Sequence, residues 1–107
     1  MLMLVAFSVS PTGGARGEES PESVSGAVSE AVRIVRDSGL PYELSSMYTT
    51  VEGEWDEVMD VVRRATDAVL ARAPRASLVI KADIRPGFTG QLRAKVERVE
   101  RRLAGEG

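Results

Sequence analysis

Three short stretches of the 107-residue sequence hold the side chains best placed to do chemistry. The first is Lys81-x-Asp83-x-Arg85. In a strand, alternate residues share a face about 7 Å apart, so these three would present plus, minus and plus along one side. Such a row can fix the register of a partner or hold a polar ligand; the plainer reading is a solvated face whose charges pair with one another. The second is Met47-Tyr48-Thr49-Thr50-Val51-Glu52-Gly53. Here a carboxylate beside a glycine can accept hydrogen bonds from a ligand amine while the backbone comes close, although Thr and Tyr are also ordinary strand residues. The third is Ser8-x-Ser10-Pro11-Thr12-Gly13-Gly14, whose hydroxyls and backbone N–H groups can meet an anion or a heteroaromatic ring. It lacks the G-K-[ST] ending of a phosphate loop, and it reads equally well as a plain turn. Trp55 can stack on a ring, but it falls on an apolar helical stripe and reads first as core, as do Met3 and Met59.

What is missing narrows the chemistry further. The sequence has no Cys, no His and no Asn, which removes disulfides, thiolate nucleophiles, zinc sites and imidazole acid–base catalysis. Sixteen acids against 14 bases give a formal net charge of -2, a balance that argues against nucleic acid or an anionic membrane as the main partner. Twelve of the 14 bases are Arg, a skew that carries little functional weight. With 43% hydrophobic and 28% charged residues, the composition is that of one ordinary globular domain spanning 1–107, large enough to bury a single core. The longest apolar run, Met1 to Phe7, is far short of the roughly 20 residues of a membrane span, and no basic segment precedes it, so a cytoplasmic location is expected.

The elements that must position these residues follow from pattern. Met1 to Ser10 reads as a strand ending in the turn cluster Pro11–Gly14. Ser20-Pro21 supplies a helix cap and first residue; Val24, Val28, Ala31, Val32 and Val35 give the apolar stripe, and Ser38-Gly39-Leu40-Pro41 the stop. Tyr42 to Gly53 fits two short strands joined near Ser46-Met47. A second helix starts at Glu54, with Trp55, Val58, Met59, Val62, Ala65, Val69 and Leu70 on its stripe, and stops at Ala73-Pro74. Ala76 to Arg85 alternates, with Leu78, Ile80, Ala82 and Ile84 expected on the core side. A last helix carries Phe88, Leu92, Val96, Val99 and Leu103, and the tail from Ala104 is expected to fray. The order β-α-β-β-α-β plus a helix predicts an α+β, ferredoxin-like fold: a four-stranded antiparallel sheet with two helices on one face. The other face would stand uncovered and partly apolar, which predicts self-association, with the last helix adding to the packing.

Over nearly its whole length the sequence resembles the small thiamine-binding family, single-domain relatives of the two-repeat hydroxymethylpyrimidine/thiamine-binding proteins. The resemblance rests on Phe7-Ser8-Val9-Ser10-Pro11, Ser38-Gly39-Leu40-Pro41-Tyr42-Glu43-Leu44, Met47-Tyr48-Thr49-Thr50-Val51-Glu52-Gly53 and Lys81-Ala82-Asp83-Ile84-Arg85, in that order and spacing. It implies a ferredoxin-like fold, assembly into dimers or tetramers, and binding of thiamine or a related pyrimidine without turnover, at or near a subunit interface. The sequence departs from the family pattern at Tyr48, where glycine is common.

Thiamine joins an aminopyrimidine to a cationic thiazolium. On this resemblance Glu52 or Asp83 would accept the amine or balance the cation, and Ser8, Ser10, Thr49 and Thr50 would hydrogen-bond the pyrimidine. Met47 and Tyr48, with Trp55, would stack on the rings. Lys81 and Arg85 would orient the carboxylates or meet a phosphate on a phosphorylated ligand. No cofactor, catalytic residue or metal ligand is called for. The alternative is a regulatory or structural oligomer that binds another metabolite at its interface. An enzyme of the same architecture fits less well: an acylphosphatase-like hydrolase needs a positioned Asn, a dimeric oxygenase a His or Asn, and a metallochaperone of this fold a Cys pair.

Overall fold

A computed structural model describes residues 2–12, 21–86 and 91–105. Strand β1 (Leu2–Thr12) is central, with Met3, Val5, Phe7 and Val9 buried on one face by the two-residue alternation of a strand. It runs two residues beyond the expected stop at Ser10, because Pro11 and Thr12 pair with Ala76 and Arg75. A proline is tolerated there because only one side of β1 is paired at that height, leaving the missing N–H at an edge.

Helix α1 (Pro21–Asp37) buries Ala27, Ala31 and Val35. The side chain of Val24 and the expected Ser20 cap lie outside the described residues. The helix ends as its sequence predicts: Gly39 has φ of +79°, the Ser38 hydroxyl donates to Val35 O at 2.6 Å, and it accepts from the Leu40 N–H at 3.2 Å. Strands β2 (Tyr42–Leu44) and β3 (Thr49–Glu54) form the hairpin, closed where both the N–H and the hydroxyl of Ser45 donate to Tyr48 O, at 2.9 and 2.8 Å.

Helix α2 (Trp55–Leu70) buries Val58, Val61, Val62, Ala65 and Val69 and packs on α1, β1 and β3. Trp55 is not core as expected: it is 47% exposed at the first helical position, before the helix has run over the sheet. Leu70 is also exposed, and Met59 is half-buried.

Strand β4 (Arg75–Ile84) pairs antiparallel with β1, completing a sheet of order β2-β3-β1-β4. This is the expected ferredoxin-like α+β arrangement. Leu78, Ile80, Ala82 and Ile84 do lie on the helix side, opposite Val9, Phe7, Val5 and Met3. They are not core, however: Leu78, Ile80 and Ile84 keep 39–40% of their surface, because among the described residues β4 is the last strand of the sheet. Helix α3 (Gln91–Leu103) contacts β3. The sheet face turned away from α1 and α2 is therefore not uniformly open. Leu4 and Glu52 on it are buried, while Val79, Lys81 and Asp83 are exposed. The Phe88 contribution expected for the last helix and the Gly13-Gly14 end of the first loop lie outside the described residues.

Candidate functional site

The central strand is longer than the strand beside it. β3 begins opposite Phe7, so from Ser8 to Thr12 β1 is paired with β4 alone. The chain that would have continued β3 turns away instead as the Ser45–Tyr48 connection. A cavity of about 200 Å³ occupies this notch under α1. Its wall on the helix side is Val28, Ala31, Val32 and Val35; its floor is β1 from Phe7 to Ser10; the hairpin from Leu44 to Thr49 closes the third side.

Five of the ten residues expected at a site meet there: Ser8, Ser10, Met47, Tyr48 and Thr49. Thr49 pairs with both Phe7 and Leu44, which puts it on the helix side, and it is buried. Met47, 75% exposed, and the half-exposed Tyr48 stand at the rim. Alternation sends the Ser8 and Ser10 side chains to the face opposite Phe7 and Val9, so these two line the cavity from the strand edge.

The other five lie elsewhere. Thr50 and Lys81 both pair with Ala6, and Glu52 and Asp83 both pair with Leu4, so these four form two short rows across the far face of the sheet. Arg85 is exposed just past the end of β4. Trp55 follows Glu54, which pairs with Leu2, and is therefore roughly 20 Å along the strand direction from the cavity. The sequence reading missed Ser45 and Ser46, and it took Val28, Ala31, Val32 and Val35 for core alone. Periodicity marks a buried helix face but cannot tell a face against packed side chains from one against a notch.

Chemically the described lining is hydroxyls, one thioether, one phenol, one phenyl ring and aliphatic surface, with no charged side chain. A cluster of charge pairs lies on the exposed side of α2. There hydrogen bonds from Arg63, at 2.8 Å, and Arg64, at 3.0 Å, hold the Asp60 carboxyl below its ordinary range, and Asp60 in turn raises Arg63. Among the described residues there is no cluster of acids that could hold a metal ion, and no helix long and apolar enough to cross a membrane.

The thiamine-binding protein family model matches residues 5–100, which takes in β2, β3, β4 and all but the first three residues of β1, with the notch and most of α3. The chain belongs to the thiamine-binding protein family. A UPF0045 protein of Mycobacterium bovis is 54% identical over 104 residues, covering 96% of each chain. Among solved structures, a domain of unknown function from Bacillus cereus is 34% identical with a TM-score of 0.74, covering 94% of this chain and 93% of that one. A Thermotoga maritima protein assigned provisionally to thiamine biosynthesis or salvage shares the fold at a TM-score of 0.73 and 24% identity, over 92% of this chain and 100% of that one.

Proposed function

We propose that this member of the thiamine-binding protein family holds thiamine, or its hydroxymethylpyrimidine part, in the notch under α1 and releases it unchanged. The observation that carries the reading is the uncharged, hydroxyl-bearing lining of the notch. A neutral aminopyrimidine needs apolar area for its faces and a few hydrogen-bonding groups for its edges, and the aliphatic α1 wall and the hydroxyls of Ser45, Ser46 and Thr49 offer both. The edge of β1 at Ser8 and Ser10, beyond the reach of β3, adds backbone donors and acceptors. A cation buried against Val28, Val32 and Val35 would be costly to desolvate, so the thiazolium belongs outside, against the exposed Met47 and Tyr48. The size agrees, since 200 Å³ lies below the roughly 300–1,000 Å³ of clefts for drug-sized ligands and suits one ring system.

In this reading the amine acceptor is a hydroxyl or carbonyl of the notch. Thr50, Glu52, Lys81, Asp83 and Arg85 lie outside the notch and take no part. Binding without turnover is supported by the same lining: a hydroxyl becomes a nucleophile only beside a base, and no described cavity residue is a carboxylate, amine or imidazole. Calorimetric titration with thiamine, thiamine phosphate and hydroxymethylpyrimidine tests the reading. Heat of binding is expected with thiamine and with the pyrimidine, with the ligand recovered intact by mass spectrometry. Silence with all three, or a larger thermal shift with an amino acid or nucleotide from a metabolite panel, would refute it.

A further inference from the structure

The strand hydrogen bonds settle which main-chain groups face the notch. Along an antiparallel strand, successive residues turn both their N–H and C=O first toward one neighbour and then toward the other. The Glu52 N–H donates to Pro41 O and the Ser45 N–H to Tyr48 O, both at 2.9 Å and both in the register that pairs β2 with β3. Thr50 and Glu52 therefore address β2, while Thr49, Val51 and Gly53 address β1. Their partners Phe7, Val5 and Met3 address β3 in return, and the next residue of β1 on that side is Val9. Pro11 agrees with this alternation, because a residue without an N–H can pair with Ala76 of β4 where its amide position faces away from β4.

Val9 thus aims a donor and an acceptor, side by side, into the notch, with no β3 residue opposite. The residue is 7% exposed, and no described residue hydrogen-bonds either group on that side. Buried main-chain groups are nearly always paired, so an open couple facing a cavity suits a guest that supplies what the missing strand residue would have supplied, an acceptor beside a donor. Building on the function proposed above, we infer that the notch selects its ligands by an amidine edge, a ring nitrogen next to an exocyclic amine, read by the N–H and C=O of Val9. The ring nitrogen accepts from the N–H and the amine donates to the C=O. A planar ring held this way lies where β3 would have continued, with one face toward the Val28 and Val32 wall. A carboxylate offers only acceptors and an ammonium group only donors, so neither matches the couple.

Amide NMR spectra of the isotope-labelled, unsubstituted chain read this contact residue by residue. On titration with hydroxymethylpyrimidine, the Val9 amide proton should show the largest downfield shift in β1, while those of Ser8 and Ser10, which address β4, should stay nearly still. The analogue in which a methyl group replaces the amine has the same shape and keeps the ring nitrogen, but leaves the Val9 carbonyl without a donor. It should bind at least about tenfold more weakly. A pyrimidine that binds without moving the Val9 amide, or a methyl analogue that binds as tightly as its parent, overturns the assignment to Val9 and leaves the function proposed above standing. If thiamine and hydroxymethylpyrimidine fail to bind but adenine, which carries the same edge, moves the Val9 amide, that function falls and the amidine edge stands. No binding by any of the three overturns both.

Discussion

Gly53 sits on the helix side of β3 opposite Met3, where a side chain would have to fit between β3 and the first turn of α2. A Cβ built on it meets Val58 Cγ2 at 3.0 Å and Leu40 Cδ1 at 3.3 Å. Val58 is fully buried and, being β-branched in a helix, is held in one rotamer, so it cannot swing away. Leu40 is only half-buried and can give. Crowding a packed core costs about 1–3 kcal/mol, and the loss of glycine's freedom in the unfolded chain returns about 0.4–1 kcal/mol. Gly53→Ala should therefore destabilise by about 1 kcal/mol net, lowering Tm by about 4–8 °C for a domain of this size. Gly26 is the control. Its added Cβ would meet Arg72 Nη1 at 2.8 Å, but that atom ends a half-exposed, flexible side chain. In a helix interior Gly→Ala gains about 1 kcal/mol, so Gly26→Ala should stabilise. Urea titration with a shared m-value compares the two. If Gly53→Ala is as stable as wild type, the packing of α2 against β3 is looser than described and the reasoning fails.

Ala31→Leu places a larger side chain from α1 into the notch; thiamine affinity should fall at least about tenfold with Tm unchanged or raised, since overpacking is relieved into empty space, and retained binding would place the ligand elsewhere. Val51→Ala removes two methyl-sized groups from a fully buried position and should cost about 2 kcal/mol or more by urea titration. Asp60 should titrate below its ordinary value by NMR, and Arg63→Gln should move it upward. Because its folded value is depressed, its contribution to stability is present above the unfolded value and is lost as pH falls through the folded one. Met47→Ala at the rim should weaken thiamine more than hydroxymethylpyrimidine, as measured by calorimetry, if the thiazolium lies against it.

The order of elements was legible because each is marked by a local device: the serine and glycine stop at 38–39, the alternation at 76–84 and the valine stripes of the two long helices. Depth of burial was less legible, since alternation says which way Leu78 and Ile80 face but not that their strand is last in the sheet. The stripe likewise includes Trp55 without showing that the helix has only begun there. The candidate site divided for a related reason. Neighbours in the hairpin such as Thr49 and Thr50 differ by one position and so face opposite sides of a sheet, and only the register with β1 shows which side holds the notch.

The overhang of β1 past β3 also makes the protein its own reporter. Backbone amides between Ser8 and Ser10 that point toward the notch have no β3 residue opposite them, and Pro11 contributes none. Deuterium should therefore enter this short segment faster than the doubly flanked Leu4 to Ala6, and an occupant of the notch should slow it there first. Mass spectrometry of a single peptide would then follow occupancy without a label, a chromophore or a coupled reaction.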